Sequence, residues 1–169
     1  INDICINNLK LCYDFYPKYS FFPLDDISIT NSLFQERSSI GIFNKDFHFL
    51  TLKNNDDIWM CITPNEITTM EPYISKAKGS VLTYGLGLGY FAFMCSNKKE
   101  VNKVTIVEKD KNIINIFLTY ILPLFPNKDK IEIINEDAFV HYQGIKKDEF
   151  DFCFIDIWHD AQDGSPLYI

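Results

Sequence analysis

A chain of 169 residues fits one domain, or one domain with a small appendage, and its 47% hydrophobic and 15% aromatic content is enough to fill a core and too much for a disordered chain. The formal net charge of −7 argues against nucleic acid as the main partner: neutralising phosphates takes clustered Lys and Arg, and the adjacent basic pairs Lys98-Lys99 and Lys146-Lys147 read as solvated loops. No apolar run reaches membrane-spanning length and no charged-then-apolar leader opens the sequence, so no membrane partner and a cytoplasmic setting are expected.

Residues 1–24 are rich in aromatics (Tyr13, Phe15, Tyr16, Tyr19, Phe21, Phe22), broken by Pro17 and Pro23, and show no clean period. They read as a packed N-terminal extension or as an extended arm for a partner. Residues 27–62 read as strands. Ile40-Gly41-Ile42-Phe43, a turn at Asn44-Lys45-Asp46, and Phe47 to Leu52 make a predicted hairpin. Asn54-Asn55-Asp56-Asp57 is a second turn, and Ile58 to Ile62 a further strand. His48 alternates with Phe47 and Phe49 and faces solvent or a partner strand, with no catalytic role. This small antiparallel β segment, residues 1–62 with the arm, is predicted to precede a main domain at residues 63–169.

Thr63-Pro64-Asn65-Glu66 starts a helix: Thr63 can cap it, Pro64 suits its first turn, and Glu66 can reach back. Ile67, Met70, Tyr73 and Ile74 give its apolar face, and Lys78-Gly79 ends it. Val81 to Tyr84 then reads as a buried parallel strand, followed by Gly85-Leu86-Gly87-Leu88-Gly89 and a helix beginning near Phe91. Glycines here allow a sharp turn and a close ligand approach, and a helix N-terminus offers free N–H groups. From Gly85 the pattern is G-x-G-x-G; from Gly87 it is G-x-G-x-x-A, ending at Ala92, a dinucleotide pattern. The loop alone does not choose between these ligands, and a ligand-free tight turn has the same spelling.

Val104 to Val107 is the second strand of this domain, and Glu108 closes it. A carboxylate at a strand end, about twenty residues past the glycines, can accept both hydroxyls of a ribose. A strongly apolar helix follows from Lys111 to Leu122 and stops at Pro123. Ile131 to Ile134 is the third strand, and Asp137 sits just beyond it with Ala138 and Phe139. Asp137 can reach an adenine amino group, or simply cap the helix that starts there. Phe150 to Ile155 is the fourth strand, ending in Asp156-Ile157-Trp158-His159-Asp160. All four strands thus carry their distinctive residues at one edge, where open parallel sheets bind ligands. Of the five cysteines, Cys95 and Cys153 read as core residues; no C-x-x-C pair occurs, which excludes zinc ribbons and thioredoxin-like motifs, and reduced thiols fit the cytoplasm.

VLTYGLGLGYFA, TIVEKD, KIEIINEDAF and FDFCFIDIWHD resemble the motifs of class I S-adenosylmethionine-dependent methyltransferases, in the spermidine synthase-like branch. The resemblance covers about half of the chain, residues 79–160, and the hairpin-rich segment before it is similar to the small N-terminal β domain of spermidine synthases. It implies an α/β, Rossmann-like sheet of order 3-2-1-4, with S-adenosyl-L-methionine as cofactor. Gly85, Gly87 and Gly89 would wrap the methionine part, Glu108 the ribose, and Asp137 with Ala138 the adenine. Asp156 would face the methionine amino group or the substrate. Two departures stand out: Thr83 occupies the place of a common acidic residue, and Ile169 comes soon after Asp156, so the family's C-terminal strands are expected to be missing.

Transfer from an activated sulfonium depends mainly on positioning. A base is still needed for many acceptors, and Asp156 or His159 is the candidate; His159 can equally pack the start of the next helix. The expected activity is methyl transfer to a small molecule. Aminopropyl transfer is the alternative, in which the Asp at 156 deprotonates an amine and Asp160 or Asp163 binds the polyamine. A metal-dependent O-methyltransferase with Asp156 as one ligand is conceivable, its other ligands lying outside this sequence, and no metal site is predicted within it. The opposing class is a non-catalytic nucleotide-binding-like module used for assembly. A homo-oligomer is expected through the N-terminal β segment or the apolar edge of the fourth strand.

Overall fold

The N-terminal strands owe their arrangement to long-range pairing. In the computed structural model, which describes residues 3–23, 40–55 and 57–157, strand β2 (Leu9–Tyr16) pairs antiparallel with β5 (Phe47–Asn54) from Leu9↔Asn54 to Tyr16↔Phe47. β1 (Ile4–Ile6) and β6 (Asp57–Cys61) flank them, giving the order β1-β2-β5-β6. Leu9, Leu11 and Leu52 are buried on one face, and Cys12, Thr51 and Phe49 on the other. The expected hairpin of Ile40–Phe43 with Phe47–Leu52 does not form. β4 (Ile40–Ile42) pairs instead with β3 (Phe21–Pro23), and the Phe22 ring lies across Gly41, where any Cβ would collide with it. Phe43 then leaves the ribbon and stacks on Phe22 at 4.1 Å, Phe47 at 5.0 Å and Tyr16 at 5.4 Å. This aromatic stack, worth more than adjacency in sequence, takes β4 away from its neighbour. Residues 3–23, within a segment expected to be irregular, therefore hold β1, β2 and β3. The second expected turn is present: it joins β5 to β6, with Asn55 at φ 55°. His48 is exposed and stacks on Phe15 at 5.5 Å.

The chain divides into two compact units, Ile1–Pro72 and Tyr73–Ile169, and the boundary falls inside helix α1 (Pro64–Lys76). The Thr63 hydroxyl accepts the Glu66 N–H at 3.5 Å at the start of α1. At its end the Lys98 ammonium donates to the carbonyls of Ile74, Ser75 and Ala77 at 2.7, 2.8 and 2.7 Å. The Ile74 carbonyl also takes the Ala77 N–H at 3.3 Å, and a cation beside the carbonyls at a helix C-terminus offsets their dipoles.

The second unit is α/β. Its central sheet is wholly parallel, in the order β10-β7-β8-β9, with β7 (Gly79–Tyr84), β8 (Val101–Glu108), β9 (Ile131–Asn135) and β10 (Phe152–Ile155). Numbered within the unit, its strands lie third, second, first, fourth. Val81, Leu82, Thr83 and Tyr84 are all buried, as a strand covered on both faces requires. On one face, α2 (Tyr90–Ser96) brings Phe91 against Phe154 at 4.3 Å. On the other, Leu82, Tyr84 and Val107 are covered by Ile134, Ala138, Ile145, Phe150 and Ile157.

α3 (Lys111–Ile116), capped by Asp110, continues as a wider π turn over Phe117–Ile121 and a tight 3-10 turn over Leu122–Leu124. The predicted helix is thus real but changes pitch before Pro123, which has no N–H to give. Cys95 is fully buried, and burial pushes its thiol up to about 12. Cys153, expected in the core, is exposed: it lies on edge strand β10, in register with Leu82 but outside the cover over Leu82 and Tyr84. Among the described residues no helix is long and apolar enough to cross a membrane.

Candidate functional site

The glycine turn is built by three glycines with three different neighbours. Gly85 has φ 91° and donates its N–H to the Val107 carbonyl at 2.9 Å. A Cβ on it would strike the backbone carbonyl oxygen of Asp156, so β7 and β10 can approach only because it has none. Gly89, at φ 80°, precedes α2, and a Cβ there would strike the Phe117 ring. Gly87, at φ 53°, has nothing within 4 Å of its Cβ position. Two of the glycines serve the packing of the unit, and the third faces open space.

Glu108 ends β8 and reaches back to this turn. Its Oε2 accepts the Leu86 N–H at 3.1 Å and its Oε1 accepts the Asp110 N–H at 2.8 Å. Each oxygen keeps further lone-pair capacity, enough for a diol. Asn135, which the sequence did not single out, fixes the same corner: its amide donates to the carbonyls of Glu108 and Lys109 at 2.9 and 3.0 Å. Its only sequence signal is a polar residue at the end of an apolar strand.

Asp137 caps α4 (Ala138–His141), with Oδ1 accepting the Phe139 N–H at 2.8 Å, so the capping role is realised. Ala138 is half-buried against the Leu82, Tyr84 and Val107 cluster. Asp137 makes no bond to Glu108 or to the glycine turn; it is tied to β7 through His141, whose Nδ1 lies 3.1 Å from the Tyr84 hydroxyl. Sequence reasoning missed this pair as well. A tyrosine closing a buried strand is its one signal, because a buried phenol needs a polar partner.

Asp156 follows β10 and donates its backbone N–H to the Tyr84 carbonyl at 2.9 Å. Its side chain is half-buried, and burial pushes the carboxyl above its ordinary range. None of the ion pairs among the described residues includes it. Thr83, at the position of a common acidic residue, is buried, with its hydroxyl 3.4 Å from the Gly85 carbonyl. Trp158, His159, Asp160 and Asp163 lie outside the described residues. Among the described residues no three His, Cys, Asp or Glu side chains converge as metal ligands. The structure thus gathers the glycine turn, Glu108, Asp137 and Asp156 at the C-terminal ends of four adjacent parallel strands. That edge is acidic, partly desolvated and open at Gly87.

No protein family's sequence model matches the chain, and no curated protein does. Solved structures do. The spermidine synthase of Thermotoga maritima superposes with a TM-score of 0.50 and 18% identity, covering 67% of this chain and 45% of that one. A spermidine synthase in complex with the transition state analogue AdoDATO gives a TM-score of 0.49 and 16% identity, covering 66% and 44%. The chain spans a little under half the length of these structures. At such identities the likeness is one of fold: a Rossmann-like α/β sheet shared with spermidine synthase.

Proposed function

We propose that the α/β unit binds S-adenosyl-L-methionine and serves an enzyme that transfers its methyl group to a small molecule. The observation that carries this reading is the division among the glycines: Gly85 and Gly89 are packed against Asp156 and Phe117, whereas Gly87, which turns the chain at φ 53°, borders open space at the ends of the parallel strands that a ligand can fill. The residues present fit the cofactor. Gly87 leaves space for its methionine chain, Glu108 has lone pairs for the ribose hydroxyls, and Asp137 with Ala138 would meet the adenine. Asp156, dehydrated and unpaired among the described ion pairs, would gain from a cationic amino group. The cofactor supplies an already activated carbon, so the protein's part is to orient it, exclude water and hold a base for the acceptor's proton. Where Asp156 faces the acceptor instead of the amino group it suits that base, because burial raises its pKa and so favours proton uptake.

A second reading is aminopropyl transfer from decarboxylated S-adenosylmethionine, favoured by the fold shared with a spermidine synthase. Thermal-shift and calorimetric titrations of the full chain separate the two. S-adenosylmethionine and S-adenosylhomocysteine are expected to stabilise it more than NAD. Tightest binding of the decarboxylated compound would favour aminopropyl transfer. No response to any of them would overturn both and leave a module used for assembly.

A further inference from the structure

Helix α4 is one α-helical turn, Ala138–His141, that runs on into a 3-10 turn over Tyr142–Gly144, and so short a helix is marginal in water without tertiary support. Asp137 caps its start, and Ala138 rests on the cluster of Leu82, Tyr84 and Val107. Its last residue is fastened by the bond of 3.1 Å between His141 Nδ1 and the Tyr84 hydroxyl, the two rings lying edge to face at 5.7 Å. Tyr84 is only 4% exposed and directly precedes Gly85. Burial, with Cys153 and Glu136 nearby, pushes its phenol up to about 12, so it keeps its proton at neutral pH. One hydrogen bond therefore joins the strand that carries the glycine turn to the helix that begins with Asp137 and Ala138.

We propose that Tyr84 and His141 are positioning residues that set the spacing between the glycine turn and Asp137–Ala138, and so hold the purine end of an adenosine-containing ligand. This rests on the ligand reading above. Neither residue touches the reacting atoms. Ala138 and Ile145 give the segment apolar contact with β7, the capping bond is internal to the turn, and among the described residues this pair supplies the directional side-chain hydrogen bond from α4 to β7. Without it the helix start can drift from the sheet edge, and a ligand spanning both elements must pay for re-ordering it.

The test uses the full chain as Tyr84→Phe, His141→Ala and His141→Asn, the last placing an amide oxygen where Nδ1 stands. Hydrogen exchange of the Val140 and His141 amides, both bonded to the Asp137 carbonyl, is read without ligand. It is expected to rise roughly fivefold to tenfold in Tyr84→Phe and His141→Ala, as for the loss of one hydrogen bond, and to stay near wild type in His141→Asn. Affinities for S-adenosylhomocysteine and for 5′-methylthioadenosine, measured well below each variant's melting temperature, are expected to fall by about that same factor in the first two variants, equally for both ligands. Rescue by His141→Asn supports positioning, since loss of packing alone would not be restored. Unchanged exchange in Tyr84→Phe, or faster exchange with unchanged affinity, overturns the inference while the ligand reading stands. If the wild-type chain binds neither compound, the ligand reading fails and the inference falls with it.

Discussion

Gly87→Ala and Gly85→Ala should behave as opposites. At Gly85 the new Cβ meets the Asp156 backbone carbonyl, so the end of β10 must shift away from β7, and the variant is expected to be strongly destabilised. At Gly87 the methyl meets nothing, so the cost is that of a left-handed residue, roughly 1–2 kcal/mol, with a folded product whose cofactor affinity is reduced. Circular dichroism and a ligand titration on both variants check this; full affinity in Gly87→Ala would remove the loop from the site. Asp156 makes the second residue-scale prediction. Burial raises its folded pKa above the ordinary 3.8, so its contribution to stability is fully present below that value and is lost as pH rises through the folded value. Asp156→Asn should therefore match wild type in acid and become the more stable protein as pH climbs to neutrality, while binding cofactor less well. Melting curves across pH that show the Asn variant less stable at neutral pH would mean Asp156 has a partner after all. Glu108→Ala removes the acceptor of two backbone N–H groups, Leu86 and Asp110, and should cost about 1–3 kcal/mol of stability besides its effect on ribose binding. Chemical denaturation without ligand isolates that part, and an unchanged midpoint would show that the turn stands without Glu108. These dual duties were not visible in the sequence. The glycines, Glu108, Asp137 and Asp156 were each legible as positions, because strand ends announce themselves by the end of an apolar run. What each one touches depends on strands up to about seventy residues away, as Gly85 and Asp156 show.

Among elements, the four parallel strands were the easiest to find. Val81–Tyr84 and Val104–Val107 are buried throughout, which produces a short apolar run, while Ile131–Ile134 is marked by its three isoleucines around the exposed Glu132. β2 was hidden for the opposite reason. Leu9 and Leu11 point to one face and Cys12 to the other, all three buried, so the alternation that marks a strand is broken in its middle. β4 was read as a strand but given β5 as its partner, and β3 was not read as a strand, because a hairpin is the cheapest local solution and the Phe22–Phe43 stack joins residues far apart in sequence. Gly41→Ala tests that account: its Cβ must displace the Phe22 ring, which should loosen the ribbon and lower the melting temperature of the N-terminal unit. A variant as stable as wild type would show that Phe22 has another place to go.

At the scale of the molecule, two compact units predict two unfolding events. Trp59 lies in β6 of the first unit and Trp158 in the range of the second, so Trp158→Phe leaves a fluorescent reporter of the first unit alone. S-adenosylhomocysteine is expected to raise the transition followed by calorimetry for the α/β unit while leaving the Trp59 transition where it was. A single transition in which both signals move together would show that the units unfold as one. In the sequence the switch from antiparallel to parallel patterning falls close to α1. Thr63 to Lys76 reads as one periodic segment, with Pro72 inside it where the two units part.

The ammonium of Lys98, surrounded by the carbonyls of Ile74, Ser75 and Ala77, has a consequence for chemical labelling. An amine can attack an acylating reagent only after giving up a proton and leaving its acceptors. In the folded chain Lys98 should therefore label far more slowly than open lysines such as Lys99, and its labelling rate becomes a clock for how often the end of α1 lets go of it. Arginine would not substitute, since a flat guanidinium cannot aim three donors at carbonyls gathered around a point.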